Sequence, residues 1–180
     1  MRGVKLALAT AVLAGLMIVG SSALAASAPA GGPIKVFVSP SPTSPKSKIT
    51  ITGAIGDFGT SLSVNAAGKT TPNGNFQKVT LKQGSFWANT TALNKATSKA
   101  KPVANKATCS FSSASSAPVA LFNGAGLYTG ISGTVKITLT FAGIAPRFAS
   151  GAHKGQCNFN SNKTAGSYES IAGAGNVKFS

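Results

Sequence analysis

The sequence is very poor in titratable side chains other than lysine. Its 180 residues include only two acidic residues, Asp57 and Glu169, and one histidine, His153. General acid–base catalysis and two-carboxylate glycoside hydrolysis need such groups close together. No G-x-S-x-G nucleophile motif accompanies the histidine, which is expected to be a solvated loop residue. The composition therefore favours a binding protein without a cofactor over an enzyme.

Cysteine is equally scarce. Cys109 and Cys157 are the only two cysteines, and 47 residues separate them. With a single histidine elsewhere, they do not make up the four ligands of a structural zinc site, so we predict no metal. In an exported protein an isolated pair more often forms a disulfide than two free thiols, and we predict that these two are bridged.

The lack of acidic residues leaves a net charge of +15. Such an excess attracts anionic polymers and anionic surfaces without sequence specificity. Specific nucleic-acid binding is disfavoured, because there are only two arginines and the aromatic residues are not interleaved with the basic cluster. The alternative is that scattered lysines only keep the protein soluble. The candidate contacts for an anionic polymer or envelope surface are Lys95, Lys99, Lys101 and Lys106.

Only one long apolar run occurs, over residues 6–19, and it is short for a membrane-spanning helix of about 20 residues. It follows a basic start and precedes Ala23-Leu24-Ala25, a pattern typical of signal peptides. We predict a signal peptide over residues 1–26 and a secreted or extracytoplasmic protein without a membrane span. The mature chain has the length of one domain and carries fifteen basic against two acidic residues, a net charge of +13.

Residues 27–48 contain five prolines with serine and glycine between them, which predicts an extended leader or linker. Residues 34–38 are the exception, because they are β-prone and could dock as an edge strand. The folded domain is predicted over residues 49–180.

From residue 49 the chain alternates short apolar–polar segments with turn signals such as Asn73-Gly74. A strand is predicted over residues 86–93, a short helix or loop over 94–106, and a strand over 156–159. Eight to ten strands at about 10-residue spacing indicate an all-β antiparallel barrel of about eight strands, with a β-sandwich as the alternative. Trp87 precedes both cysteines rather than lying between them, which disfavours an immunoglobulin-type sandwich.

The segment 122–141 is rich in glycine and then alternates strictly. Thr129 stands where a dinucleotide fingerprint needs its third glycine, and a strand follows instead of a helix, so the glycines are expected to shape the backbone. This structural corner comprises Gly124, Gly126, Gly130 and Gly133. The strand that follows should direct Val135, Ile137, Leu139 and Phe141 to the core.

This corner and the alternating strand after it resemble the G-T-G-x-Y-x-G-x-x-G corner of allene oxide cyclase-type barrels. That family includes plant dirigent proteins and exported bacterial proteins. Residues 173–179 also resemble its closing strand, whereas Ala125 replaces the usual threonine. The resemblance implies an eight-stranded antiparallel barrel, often a homo-oligomer, with a central apolar cavity. Plant members guide cyclisation or coupling of small molecules there.

Asp57 lies in a Gly-Asp-Phe-Gly corner, where it is expected to bond turn amides. Alternatively it lies in the barrel cavity, for which Tyr128 and Glu169 are the other candidates.

Two functions are compatible with these features. The favoured one is a non-catalytic exported module that binds a small apolar ligand or an anionic envelope surface. The other is a cyclase- or dirigent-like protein that guides the reaction of a small molecule in the cavity.

Overall fold

A computed structural model describes residues 30–41, 44–72 and 74–180. The predicted signal peptide, residues 1–26, lies outside the described residues. Within the described ranges, no helix combines the length and the apolar character needed to cross a membrane.

The described chain forms nine strands and one short helix. In order these are β1 (Gly32–Ser39), β2 (Lys46–Gly53), β3 (Asp57–Val64), β4 (Phe76–Leu81), β5 (Gly84–Asn89), α1 (Thr91–Lys99), β6 (Val103–Asn105), β7 (Ser110–Gly126), β8 (Ser132–Ile144) and β9 (Gly166–Lys178).

The strands form one antiparallel sheet that closes on itself. Its order is β5-β4-β3-β2-β1-β9-β8-β7-β6, and β5 also pairs with β7, where Ala88 lies opposite Leu121. This pairing closes an eight-stranded barrel and leaves β6 as an extra strand on the first residues of β7. The predicted barrel is confirmed and the β-sandwich alternative is wrong, because a sandwich has no such closing pair.

The barrel begins earlier than residue 49. Strand β1 lies inside the predicted leader, yet it pairs with β2 on one side and β9 on the other: Val36 is opposite both Ile51 and Gly173. Ile34 and Val36 are buried while Lys35 and Phe37 are exposed. The prolines that indicated a linker flank this strand or stand at its start, so they do not interrupt its pairing. The expectation of an edge strand is therefore wrong.

Strands β7 and β9, of 17 and 13 residues, are longer than the predicted spacing of about 10 residues per strand allows. Pro118 is tolerated in β7 because only β8 pairs with the chain there, since the pairing with β5 begins at Ala120. In contrast, the predicted strand over residues 156–159 is a turn that carries one isolated bridge, between Arg147 and Cys157.

Buried and exposed side chains alternate along β8, and the buried ones are on the predicted face. Val135 and Ile137 are 1% and 7% exposed and belong to the core, whereas Thr134, Lys136 and Thr138 are exposed. Leu139 and Phe141 are half-buried on the same face of the strand. The Phe141 ring lies outside the main core and packs against Phe111, with ring centroids 5.7 Å apart.

The predicted disulfide is confirmed. Cys109, just before β7, is bonded to Cys157 in the connection between β8 and β9, with Cα atoms 5.2 Å apart. Arg147 holds the same region together, because its guanidinium donates to the carbonyl oxygens of Gly155 (2.7 Å) and Ala107 (2.8 Å).

Candidate functional site

The barrel interior contains a cavity of about 190 Å³. Most of its wall is aliphatic, because the inward positions of the strands alternate with outward polar ones. The apolar lining comprises Val36, Val38, Ile49, Ile51, Val79, Phe86, Ala88, Leu93, Val119, Leu121, Val135, Ile137, Leu139 and Ile171. A concave apolar site with few polar groups is the usual form of a small-molecule binding site.

One end of the barrel, which we call the Tyr128 end, is filled by a buried polar pair. The Tyr128 hydroxyl, from the turn between β7 and β8, donates a 2.6 Å hydrogen bond to Oδ2 of Asp57. The backbone N–H groups of Phe58 (2.7 Å) and Gln83 (3.0 Å) donate to the two carboxylate oxygens. Tyr128 is 0% exposed and Asp57 is 6% exposed. The pair therefore joins the β7–β8 turn, the β4–β5 turn and the start of β3.

The environment shifts the pKa values of Asp57 and Tyr128 in directions that keep the carboxylate ionised and the phenol protonated, and so preserve this hydrogen bond. Burial opposes the charge on Asp57, but the hydrogen bonds from Tyr128, Phe58 and Gln83 outweigh it and hold the pKa of the carboxyl below its usual value. Burial raises the pKa of Tyr128 well above its usual range, and the hydrogen bond to Asp57 and its negative charge raise it further. Near neutral pH the site consists of a carboxylate and a neutral phenol.

The predicted cavity residues do not line the cavity. Asp57 and Tyr128 lie beyond its wall, where the ring of Phe86 packs edge-to-face on Tyr128 with centroids 5.9 Å apart. Glu169 is an exposed residue of β9 and is not part of the lining. The prediction that Asp57 bonds turn amides is confirmed by its bonds to Phe58 and Gln83. None of the three residues belongs to the cavity lining: Asp57 and Tyr128 are buried at the end of the barrel beyond Phe86, and Glu169 is exposed on β9.

The glycine corner allows Tyr128 to reach this position. Gly130 has a φ of 75°, and a Cβ atom there would collide with the carbonyl oxygen of Ser180. At Gly124 a Cβ atom would collide with the carbonyl oxygen of Tyr128 itself. The turn can therefore fold back tightly only with glycine at these positions.

Helix α1 covers the opposite end of the barrel, which we call the helix end. Leu93 is buried and lines the cavity. Asn94 Nδ2 donates to the Gly74 carbonyl (3.0 Å), and the Thr97 hydroxyl shares a 2.8 Å hydrogen bond with Ser115 of β7. The helix is thus attached at the start of β4 and to β7, the two strands on either side of β5.

The polar side chains of the cavity come from one side of the barrel and from the helix end. They are Ser47, Ser61, Gln77, Thr90 and Asn94, from β2, β3, β4, the start of the helix and α1. The lining residues from β1, β7, β8 and β9 are apolar. The cavity wall therefore has two chemically different sides.

Thr90 is exceptional within this polar set. It is 8% exposed, and its Oγ1 has no hydrogen-bond partner among the described residues. Thr90 is the N-cap residue of α1, yet its side chain forms no capping bond. Its backbone is fully engaged, because its N–H donates to Asn75 and its carbonyl accepts from Asn94. An unmade cap costs about 1 kcal/mol and a buried unpaired hydroxyl about 1–3 kcal/mol.

Sequence reasoning missed Thr90, because residues 86–93 alternate like a strand. The strand ends at Asn89. The signal that could have revealed the helix start is Asn89-Thr90-Thr91, a run of capping residues before a segment rich in alanine and lysine. The local propensities for strand and for helix are similar here, and the packing of Leu93 into the barrel favours the helix.

The remaining candidate residues lie on the surface. Lys95, Lys99, Lys101 and Lys106 are exposed along α1 and the segment that contains β6. His153 is exposed in the β8–β9 connection, where its Nδ1 lies 3.1 Å from Oε1 of Gln156. Among the described residues, no three or more His, Cys, Asp or Glu side chains are grouped so that they could hold a metal ion.

Comparison of the sequence with protein-family models, curated proteins and solved structures finds no match.

Proposed function

We propose that the protein binds a small, neutral, apolar molecule inside the barrel. The observation that carries this proposal is the cavity of about 190 Å³ with aliphatic walls. An apolar cavity of about 150 Å³ can hold one benzene molecule, so this one has room for a ring with a short substituent. Drug-sized ligands need about 300 Å³ or more and are too large.

Binding is favoured over catalysis by the chemistry of the lining. None of the described residues that line the cavity carries a titratable side chain. A cyclase- or dirigent-like role would therefore depend on confinement alone, without a proton donor or acceptor at the cavity wall. For the same reason a charged ligand is disfavoured, because its charge would be buried without a partner.

The first experiment is a titration of the protein with toluene, followed by calorimetry or ligand-observed NMR. We expect 1:1 binding with a dissociation constant of about 0.1–1 mM, which suits a ligand of this size. Ala88→Leu places a larger side chain in the cavity and should abolish binding, whereas Ala174→Leu makes the same change on an exposed strand position and should not. Absence of toluene binding to the wild-type protein, or equal binding by both variants, would contradict the proposal.

A second candidate function is binding of an anionic polymer. It is favoured by the exposure of Lys95, Lys99, Lys101 and Lys106 on one continuous segment. The chain has 17 basic and two acidic residues, and one of those acids, Asp57, is buried, so the surface charge remains almost unneutralised.

Polyphosphate is a suitable probe for this second function. Its affinity should fall steeply with added salt, and replacing the four lysines with glutamine should weaken binding more than the same change at Lys35, Lys48, Lys136 and Lys178, which are exposed elsewhere on the barrel. Equal losses in the two variants would indicate binding through net charge alone, and salt-independent binding would contradict an electrostatic surface.

Export to an oxidising compartment is the third part of the proposal. It is supported by the signal-peptide pattern in residues 1–26 and by the bridge between Cys109 and Cys157. Mass spectrometry of the protein from culture medium or envelope should find a chain that starts near Ala26 or Ser27. Recovery of the intact chain with Met1 from the cytoplasm would contradict export.

A further inference from the structure

We propose that the outer surface of β1, β2 and β3 is a docking site for the surface of an anionic lipid bilayer. The site, which we call the phenylalanine wall, comprises Phe37, Thr50 and Phe58 together with Lys35, Lys48 and Lys82. It is independent of the cavity, and it does not include the lysines of residues 95–106.

The two phenylalanines of this wall project outward from the same face of the barrel. Phe37 on β1 lies opposite Thr50 on β2, which in turn lies opposite Phe58 on β3. Residues directly opposite each other on antiparallel strands point to the same side, and two strand spacings put the phenylalanine Cα atoms about 10 Å apart. Phe37 is 50% exposed and Phe58 is 57% exposed. Single exposed apolar residues are common, but two large neighbouring rings mark an interaction site.

The neighbours of Phe37 explain why its ring is not covered by the fold itself. Its cross-strand partners on the outer face are Thr50 on one side and Ala172 of β9 on the other. Both side chains are too small to shield an aromatic ring. The sheet therefore leaves apolar surface in water that a partner can bury.

The charges around the two rings are positive. Lys35 precedes Phe37 by two residues and Lys48 precedes Thr50 by two, so both lie on the outer face, where they are exposed. The ammonium group of Lys82 lies over the ring of Phe58, 5.5 Å from its centroid.

Neither of the two acidic residues of the chain neutralises this wall. Asp57 precedes Phe58, but it is only 6% exposed and is bonded to Tyr128 inside the barrel. Glu169 lies on β9 outside the stretch that pairs with β1, which ends at Ile171. The wall is therefore apolar at its centre and cationic around it.

An anionic bilayer matches both properties of the wall. Its phosphate headgroups attract lysine, and the boundary of its acyl chains accepts exposed phenylalanine rings. A polyanion without an apolar part would use only the lysines and leave the rings in water. Single-stranded nucleic acid would stack bases on open ring faces, whereas the Lys82 ammonium lies over the Phe58 ring. A second copy of the chain is disfavoured, because two positive surfaces would meet.

The first experiment measures binding to vesicles by co-sedimentation, with protein recovered after export. The vesicles contain phosphatidylcholine alone or with about 30% phosphatidylglycerol, which supplies the negative surface potential. We expect binding to the mixed vesicles that weakens with added salt, and at least about tenfold weaker binding to phosphatidylcholine alone. Absence of binding to the mixed vesicles would overturn the proposal.

The contribution of the rings is tested with the double variant Phe37→Ser and Phe58→Ser. We expect about tenfold weaker binding to the mixed vesicles, because two apolar side chains no longer enter the bilayer. The matched control is Val103→Ser with Ile144→Ser, which removes two apolar side chains that are 75% and 49% exposed on β6 and β8. It should change binding less than about twofold. Equal losses in the two double variants would overturn the assignment to this wall.

The contribution of the lysines provides a second test that does not depend on the phenylalanine variant. Replacing Lys35, Lys48 and Lys82 with glutamine should weaken binding to the mixed vesicles at least about tenfold, since each lysine near the surface contributes about fivefold. The matched control removes three charges from the helix and the segment after it, at Lys95, Lys99 and Lys101. A control that loses as much affinity would show that net charge alone drives binding, and would overturn the proposal.

The contact face can also be mapped directly. A spin-labelled lipid in the mixed vesicles should broaden the amide NMR signals of β1, β2 and β3 more than those of β6, and this comparison also serves for a chain that keeps residues 1–26. Broadening strongest at β6 or equal over all strands would overturn the proposal. So would single-stranded oligonucleotide binding that requires Phe37 and Phe58 in a protein that does not bind the vesicles.

These outcomes are separate from those for the cavity. Neither Phe37 nor Phe58 lines the cavity, so the variant that lacks both rings should bind toluene as wild type does. Loss of vesicle binding with toluene binding retained would confirm that the phenylalanine wall acts without the cavity. Failure of toluene to bind wild-type protein would overturn the cavity function and leave the vesicle results to decide the docking site.

Discussion

The Tyr128 hydroxyl and the Asp57 carboxylate form a 2.6 Å hydrogen bond between residues that are 71 positions apart in the sequence. Asp57 is the first residue of β3, and Tyr128 lies in the turn after β7, so the bond joins the two halves of the chain at one end of the barrel. Both residues are buried, and neither lines the cavity. The structure therefore points to a structural role for the pair.

We expect Tyr128→Phe to lower the free energy of unfolding by about 2 kcal/mol, because it removes a hydrogen bond to a buried charge. Chemical denaturation measures this directly. Tyr168→Phe is the matched control, since Tyr168 is 66% exposed, and it should change stability by less than about 0.5 kcal/mol. Equal stability of the two variants would contradict the structural role of the pair.

The same carboxylate should govern stability in acid. The pKa of Asp57 is lower in the folded than in the unfolded protein, so its contribution is complete above about pH 4 and is lost as the pH falls through the folded-state pKa. Only one other side-chain carboxyl exists in the chain, that of Glu169, so the acid limb of the stability curve reports mainly on Asp57.

Unfolding measured between pH 5 and pH 2 tests this dependence. Asp57→Asn should be less stable at pH 5 and should lose less further stability in acid than wild type. Glu169→Gln changes an exposed carboxyl and should retain the wild-type loss. An unchanged acid dependence in Asp57→Asn would show that the carboxylate is not the source.

Gly124→Ala tests the close approach in the glycine corner. The added Cβ would collide with the carbonyl oxygen of Tyr128, and we expect a loss of about 1–3 kcal/mol in unfolding free energy. Gly166→Ala is the control, because a Cβ at Gly166 has no atom within 4 Å. If both variants have wild-type stability, the corner does not require glycine for space.

Removal of the disulfide should destabilise the protein through its unfolded state. Replacing Cys109 and Cys157 with serine frees a loop with a sequence separation of 48, for which chain entropy predicts a loss of about 4 kcal/mol. Denaturation of the double variant and of wild-type protein, both without reductant, gives the difference. Equal stability would mean that the Arg147 hydrogen bonds to Gly155 and Ala107 are sufficient to hold this region.

Some of the candidate site was predictable from the sequence, because its signals are local. The turn role of Asp57 followed from the Gly-Asp-Phe-Gly corner, and the glycine corner followed from the spacing of Gly124, Gly126, Gly130 and Gly133. The cavity wall was not predictable, since it combines one to three residues from each of the eight strands of the barrel. Nor was the burial of the Thr90 hydroxyl without a partner, because it depends on which atoms surround that hydroxyl after folding.

The sequence by itself determined the all-β class, the direction of the β8 side chains and the cysteine pair. Alternation sets the two faces of a strand within a few residues, and two cysteines allow only one intramolecular bridge. Only the tertiary structure decided that β1 completes the barrel, that Tyr128 bonds Asp57, and that Leu93 packs into the barrel from α1. Each of these depends on contacts between residues far apart in the chain, whose pairing is settled when the whole barrel closes and not by any short segment alone.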